Sequence, residues 1–193
     1  MSSENNDWKS KDPYRTRGKD EKFDAKWTGR CFCGNIKYQL SRDKPLDVKY
    51  CHCRDCQRMH SAPFQWAAIF EKSDINFLTG AKGLTWWDSS AKVEEHNLPC
   101  KVVCDNCHAA IMDEGRKMIL IYPTLLDNIV SPEGRDVFKV KQHIFYKSRV
   151  VDFKGDGAVK WAGLDGKSEK VDDDGNSVDR GEKQGPGGPT ASV

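Results

Sequence analysis

The grouping of the cysteines constrains this chain more than any other feature. Eight cysteines occur in 193 residues, and they fall into three short clusters. The clusters are Cys31 with Cys33; Cys51 with Cys53 and Cys56; and Cys104 with Cys107, four residues after Cys100. The C-x-C and C-x-x-C spacings let neighbouring thiolates converge on one metal ion. The fold must therefore bring distant segments together around metal sites.

The rest of the composition indicates where such a chain resides. Residues 1–24 have no apolar core of the signal-peptide type,. No stretch approaches the roughly 20 apolar residues that span a bilayer. We therefore expect a cytoplasmic protein without a membrane partner, in which reduced cysteines bind metal rather than form disulfides. The formal charge of +2 gives no reason to expect a nucleic-acid surface,.

Short runs of β-branched and aromatic residues, bounded by turn residues, dominate the middle of the chain. Such runs are typical of strands, and no 3.6-residue period is sustained between them. They are NIKYQL, DVKYCH, APFQWAAIF, INFLTG, LTWWDS, VEEHNL, MILIYP and KQHIFY. Two short pieces favour helix, RDCQRMH and LLDNI. The sequence therefore predicts a mainly β, mostly antiparallel fold.

The composition divides the chain into three parts. Residues 1–26 form a polar, mixed-charge arm, although Trp8 and Tyr14 can dock onto the body. Residues 27–153 hold the strand-like runs and all the cysteines, and we expect them to form the zinc-binding domain. Residues 154–193 are glycine-rich and charged, which predicts a flexible tail that is disordered beyond Lys170,. Trp161 and Leu164 can pack before that point.

Two of the cysteine pairs can complete one closed metal site. Neither pair closes a tetrahedron alone, but Cys31, Cys33, Cys104 and Cys107 supply four sulfurs together. A zinc ion held by four cysteines is a structural site, and it adds folding free energy to a polar chain. Gly34 permits the bend that the first pair requires.

A different arrangement of the same residues is also open. Cys104 and Cys107 can bind a metal with Cys100 and with His96 or His108, all of which lie nearby in the chain. That arrangement leaves the first cysteine pair unexplained.

The remaining cluster has three ligands in one short segment and is one short of a tetrahedron. It comprises Cys51, Cys53 and Cys56. Protein candidates for a fourth ligand are His52, His60 and Cys100. His52 lies between two ligands, so we expect its side chain to point away. His60 is one helical turn after the cluster, and Cys100 has the context of a buried strand residue.

The other interpretation leaves the fourth position open to water or substrate. A zinc ion with three thiolates carries net negative charge, so it acidifies a bound water only weakly. Such an ion suits a soft incoming ligand, above all another thiolate. The cluster therefore favours a thiol substrate over hydrolysis by zinc hydroxide.

Five motifs in order resemble the glutathione-dependent formaldehyde-activating enzyme family, which includes centromere-protein-V-like proteins. They are G-x-C-x-C-G-x-I-x-Y at residues 29–38, CHCRDCQR at 51–58, C-x-x-C at 104–107, TLLDN at 124–128 and HIFYKSR at 143–149. The resemblance covers residues 28–153. One departure is His108, where the family usually has glycine after the C-x-x-C motif; a left-handed backbone is often needed at that position.

The resemblance implies a fold, two zinc sites and a reaction. The fold is an antiparallel β-tent, with a short helix here at the second site. The structural zinc is implied at Cys31, Cys33, Cys104 and Cys107, and the catalytic zinc at Cys51, Cys53 and Cys56. The implied activity is that of a carbon–sulfur lyase, the reversible formation of S-hydroxymethylglutathione from formaldehyde and the co-substrate glutathione.

Basic residues near the second cluster are candidates for binding glutathione. Arg54 and Arg58 lie four residues apart on one side of the predicted helix, where they can bind the carboxylates. Lys49 is a weaker candidate. A second hypothesis is a non-enzymatic zinc module that binds a protein partner through its charged ends. A zinc-ribbon-like nucleic-acid binder is a third, but the chain lacks a basic stripe.

Overall fold

The computed structural model describes residues 6–18, 20–89 and 100–178, which form a mainly β structure with few helices. This confirms the predicted fold class. The strands of these residues are β1 Trp27–Arg30, β2 Lys37–Leu40, β3 Asp47–Cys51, β4 Gln65–Glu71, β5 Ile75–Phe77, β6 Leu84–Trp87, β7 Cys100–Cys104, β8 Ala110–Glu114, β9 Met118–Ile121, β10 Gln142–Ile144, β11 Val159–Trp161 and β12 Lys170–Val171. The predicted strand VEEHNL and His96 lie outside the described residues.

The described strands form two sheets. The smaller sheet has the order β1-β2-β5 and is antiparallel. The larger has the order β12-β11-β10-β3-β4-β9-β8-β7-β6. Its pairs are antiparallel except that β10 runs parallel to both β3 and β11. The antiparallel pairs β1–β2, β7–β8 and β8–β9 are joined by short turns, whereas β10 pairs with β3 only after a long intervening segment of the chain,.

The main core packs buried side chains of both sheets against one another. Leu40, Val48, Phe70, Ile119 and Phe138 are fully buried there. The middle strand β4 is buried along most of its length, as expected for a strand covered on both faces,. A second, smaller cluster of buried residues surrounds the three-cysteine segment.

Two α-helices occur in the described residues, α1 (Arg54–His60) and α2 (Pro132–Val137). The first confirms the predicted helix RDCQRMH. The prediction for LLDNI is wrong, because Leu126 forms a β-bridge with Gly29 and the chain then turns. The helix begins later, where the Ser131 side chain accepts a hydrogen bond from the backbone N–H of Gly134. Pro132 at the first helical position fits that start.

The N-terminal arm docks onto the body through two aromatic side chains, and the Trp8 ring packs edge-to-face against Trp86 with centroids 4.9 Å apart. Tyr14 is only 2% exposed. Its hydroxyl donates to Glu114 of β8 and accepts from Trp86 Nε1 of β6 at 2.8 Å. Its ring stacks on Phe77 with centroids 5.9 Å apart. This part of the predicted polar arm is therefore packed against the sheet.

Ordered strands continue past residue 153, where the sequence analysis places the start of a flexible tail. β11 pairs with β10 of the main sheet and β12 pairs with β11. The Lys160 ammonium is buried between Asp156 and Asp173, at 2.8 and 2.9 Å. Trp161 Nε1 donates to Gln142 at 2.9 Å. These few side chains hold a glycine-rich segment whose average composition indicates disorder. Residues 179–193 lie outside the described part.

None of the helices in the described ranges has the length and apolar composition of a membrane-spanning segment.

Candidate metal centres

The two distant cysteine pairs meet at one end of the fold. Cys31 Sγ lies 3.5 Å from Cys33 Sγ, and Cys33 Sγ lies 3.8 Å from Cys104 Sγ. With Cys107 they form a four-thiol cluster whose sulfurs all lie within 4.8 Å of one another. A tetrahedral zinc with Zn–S bonds of about 2.3 Å separates its ligands by about 3.8 Å. The donor set and its spacing therefore fit that ion.

Two tight turns present these sulfurs. Gly34 follows the first pair with φ of 79°, and His108 follows the second with φ of 58°. His108 thus adopts the left-handed backbone expected at the position where the family usually has glycine. Its N–H donates to the carbonyl oxygen of Cys104 at 3.0 Å, which closes the second turn. A hydrogen bond from the Asn106 side chain lowers the pKa of the exposed Cys33 thiol to about 6.

The three-cysteine segment gathers at the junction of β3 and α1. Cys51 ends β3, Cys53 is the N-cap of α1, and Cys56 lies in its first turn. The Cys53 sulfur accepts a hydrogen bond from the backbone N–H of Cys56 at 3.3 Å. All three residues are buried, and their sulfurs lie within 4.8 Å of one another. The helix start therefore brings together thiols that are five residues apart.

The thiols of this cluster resist ionisation without a cation. Hydrogen bonds among their sulfurs, together with burial, raise the pKa of Cys51 and of Cys56. Three thiolates in one buried space repel one another and lack solvation. A bound metal ion removes this penalty, because it ligates thiolates directly. The donor set fits a soft or borderline ion such as zinc.

No further cysteine, histidine or carboxylate joins this cluster among the described residues. His52 points away, as predicted, and its Nε2 lies 2.9 Å from His143 Nδ1. His60 Nε2 instead accepts from Lys101 Nζ at 3.4 Å. Cys100 is half-buried, and its thiol donates to the carbonyl oxygen of Trp87 at 3.3 Å. Cys100 belongs to neither cluster.

A buried polar network adjoins the cluster, and the sequence pattern gives no sign of it. Cys56 Sγ donates to Gln65 Oε1 at 3.0 Å, and Gln65 Nε2 donates to Asp113 Oδ2 at 2.8 Å. Asp113 also accepts from Lys101 Nζ at 2.6 Å and from the Tyr122 hydroxyl. The network joins four elements: Gln65 lies in β4, Lys101 in β7, Asp113 in β8, and Tyr122 directly after β9. The side chains of these four residues are almost wholly buried.

A cavity of about 430 Å³ opens beside this network, and we call it the front cavity. Its polar lining includes His60, Gln65 and Tyr122, and its apolar walls include Phe64 and Trp66. Burial, and secondarily the Lys101 ammonium, lowers the pKa of His60 to about 4. His60 is therefore neutral at physiological pH. Burial and the Asp113 carboxylate raise the pKa of Tyr122, so its hydroxyl stays protonated.

The predicted basic residues divide into two groups. Arg54 and Arg58 are exposed on α1 and line one depression of about 320 Å³, together with Gln57. We call this the helix depression; Ala62 lines both it and the front cavity. Lys49 instead points to Asp165, with Nζ 2.5 Å from Oδ2. Its ammonium is engaged in that ion pair.

The family model for the glutathione-dependent formaldehyde-activating enzyme matches residues 26–148. The chain belongs to this family. The match spans both cysteine clusters, α1 and β10, so the formaldehyde-activating enzyme family covers every candidate ligand described above. Members are associated with glutathione-dependent enzymatic activity, which implies a small thiol substrate.

This family member was also compared with curated proteins and with solved structures. A search of curated proteins found no match. Among solved structures, a structural-genomics protein of Rhodobacter sphaeroides is 22% identical, with a TM-score of 0.43. The alignment covers 58% of this chain and 96% of that chain.

Proposed function

We propose that this protein is a zinc-dependent carbon–sulfur lyase that forms or cleaves a glutathione adduct of the S-hydroxymethylglutathione type. One observation carries the proposal. The four-thiol cluster has a complete ligand set, whereas the three-thiol cluster has no further cysteine, histidine or carboxylate among the described residues. A closed site suits a structural ion and an incomplete one suits an ion that binds substrate.

The cysteines divide the two roles between them. Cys51, Cys53 and Cys56 would hold the catalytic zinc. Such an ion would favour the ionised form of a substrate thiol near neutral pH, because it can ligate the sulfur directly. The other four cysteines would hold the structural zinc, which links the turn after β1 to the end of β7. A reducing compartment such as the cytoplasm would keep both sets of thiols available.

The helix depression is the proposed binding site for the glutathione carboxylates. Arg54 and Arg58 both line it, on the same helix that carries Cys56. The Arg54 guanidinium already donates to Gln57, which restrains its position. Guanidinium groups bind carboxylates through paired hydrogen bonds. Because Ala62 borders both concavities, one extended peptide-like ligand can reach from the arginines to the front cavity.

The front cavity is the proposed site of the electrophile. In the forward reaction a sulfur–carbon bond forms, the carbonyl π bond breaks, and the carbonyl oxygen takes up the proton that the thiol released. No electrons leave the substrates. Lys101 can only donate, so neutral His60 accepts at Nε2 and carries its proton on Nδ1,. That N–H is the proposed donor to the developing alkoxide.

Exchange kinetics test the reaction directly. Two-dimensional exchange NMR measures the rate at which carbon-13 formaldehyde and glutathione interconvert with their adduct. We expect the wild-type protein to accelerate exchange and Cys53→Ser to lose the acceleration while it keeps its circular dichroism spectrum. A zinc-loaded wild type that accelerates no exchange refutes this function. If it also ignores glutathione, the non-enzymatic zinc module becomes the better account.

A further inference from the structure

One buried glutamine faces the three-cysteine cluster. Gln65 is the first residue of β4 and lies directly opposite Cys51 in the β3–β4 pairing. Directly opposite residues of an antiparallel pair project to the same face, with Cβ atoms about 5 Å apart. The amide oxygen of Gln65 also accepts the hydrogen bond from Cys56. It therefore adjoins two of the three thiols.

The orientation of this amide is fixed from behind. Gln65 Nε2 donates to the Asp113 carboxylate, which only accepts hydrogen bonds,. Lys101 and Tyr122 donate to the same carboxylate and hold it in place. A rotated amide would set its oxygen against that carboxylate inside the protein. The oxygen of Gln65 is thus directed at the cysteines.

The hydrogen bond from Cys56 to the Gln65 oxygen exists only while the Cys56 thiol keeps its proton. A cysteine that ligates a metal is a thiolate and has no hydrogen to donate. The Gln65 oxygen would then lie 3.0 Å from another acceptor in a buried environment, which is costly,. A cation at the cluster can bind the Cys56 thiolate and the Gln65 oxygen at the same time.

We propose that the amide oxygen of Gln65 is the fourth ligand of a metal ion held by Cys51, Cys53 and Cys56, and that an incoming thiol displaces it. The displacement rests on the proposed function; the ligation does not. A neutral amide oxygen is a hard, weak ligand beside three thiolates, so a fourth thiolate replaces it readily. Gln65 also lines the front cavity, and the thiol arrives at the position that the amide leaves.

The first test uses Gln65→Leu, with Gln39→Leu as the matched control. Gln39 is a strand glutamine of the smaller sheet, and its amide oxygen accepts from Asn76 at 2.9 Å.

Competition with a chelator, without thiol, measures the affinity of the weaker zinc site. Calorimetry then measures glutathione binding to the zinc-loaded proteins. We expect Gln65→Leu to bind the weaker zinc about tenfold to a hundredfold less tightly. It should bind glutathione severalfold more tightly, because no ligand is displaced. The control should change neither affinity.

A second variant keeps the test decisive if Gln65→Leu does not fold. The double substitution Lys101→Met with Asp113→Asn removes the buried charges together and frees the Gln65 amide to rotate. We expect this double variant, like Gln65→Leu, to bind the weaker zinc less tightly.

Unchanged zinc affinity, within twofold, in the folded variants overturns the ligation. Unchanged or weaker glutathione binding by Gln65→Leu overturns the displacement. If wild type binds zinc but not glutathione, the proposed function fails, and zinc affinity still decides the role of Gln65.

Discussion

His52 Nε2 lies 2.9 Å from His143 Nδ1, and both side chains are fully buried. His143 Nε2 lies 2.7 Å from the Asp156 carboxylate, so it carries the proton and donates. Its Nδ1 therefore accepts from His52 Nε2–H. The backbone N–H of His52 also donates to the carbonyl oxygen of Ile144 at 3.0 Å. The pair fastens the loop of the three-cysteine cluster to β10.

This histidine pair makes stability depend on pH. Burial, and next the neighbouring His143, lowers the pKa of His52 to about 3. Below about pH 6.5, His52 binds a proton in the unfolded chain but stays neutral in the folded chain. The stability contribution is therefore intact above pH 6.5 and is lost as the pH falls towards 3, at up to about 1.4 kcal/mol per pH unit.

We expect His52→Phe to lose less stability than wild type between pH 6.5 and 5. Denaturant unfolding of the zinc-loaded proteins at several pH values measures the difference, and wild type at pH 7.5 is the reference. Loss of metal at acid pH affects both proteins, so the difference between their slopes isolates the histidine. Parallel slopes would contradict the assignment of a neutral, buried His52.

The two cysteine clusters should differ in their effect on folding. Cys104→Ser removes a ligand from the four-thiol site that joins distant segments, so we expect a thermal midpoint lower by 10 °C or more, on the order of several kcal/mol. Cys53→Ser should cost about 1–3 kcal/mol, because a hydroxyl replaces a buried thiol, while serine still caps the helix. Differential scanning calorimetry measures both. Equal losses would mean that both sites are structural.

The helix arginines should affect glutathione binding and leave the metal sites intact. We expect Arg54→Ala and Arg58→Ala each to weaken glutathione binding about fivefold to fiftyfold, the usual value of a charge-assisted hydrogen bond. Isothermal calorimetry measures the affinity and metal analysis checks the loading. Arg135→Ala on α2 is the control, because Arg135 is exposed on the other described α-helix. Unchanged affinity in both α1 variants would remove the helix depression from the proposed site.

The N-terminal arm should contribute to global stability. We expect Tyr14→Ala to lower the free energy of unfolding by about 3–5 kcal/mol, because a buried aromatic side chain is lost. Tyr14→Phe should cost about 1–3 kcal/mol, because Glu114 and Trp86 each lose their hydrogen bond to the Tyr14 hydroxyl,. Trp8→Ala is the comparison, since Trp8 is 41% exposed. Urea unfolding measures the free energy of unfolding of all three variants. A Tyr14→Ala protein as stable as wild type would show that the arm does not dock.

The grouping of the thiols could be predicted because the spacing within each group is local. Thiols two or three residues apart can converge on one ion. Once two pairs are assigned to one site, Cys51, Cys53 and Cys56 remain as one short segment, and Cys100 is left over. The closed cluster of Cys31, Cys33, Cys104 and Cys107 appears in the structure as the sequence analysis placed it. Helix α1 was likewise predicted from RDCQRMH, where the Cys53 sulfur caps the first turn.

The buried polar network could not be predicted in the same way. Its members lie on separate strands, and Lys101 and Asp113 look like ordinary strand residues until β7 and β8 pair them opposite each other. That cross-strand register is the only signal, and it requires the topology. The segment after residue 153 was missed for a different reason. Its average composition favours disorder, but Lys160 and Trp161 make specific contacts that an average conceals.

Cadmium-113 NMR tests the central claim most directly, because each metal site gives its own resonance. The claim is that only the cluster of Cys51, Cys53 and Cys56 accepts a thiol from solution. In a cadmium-loaded protein we expect glutathione to shift one resonance downfield, as a sulfur replaces an oxygen ligand, and to leave the other unmoved. The shifted resonance should be absent from Cys53→Ser. Two resonances that both ignore glutathione, or that both move with it, would contradict the division into a closed and an exchangeable site.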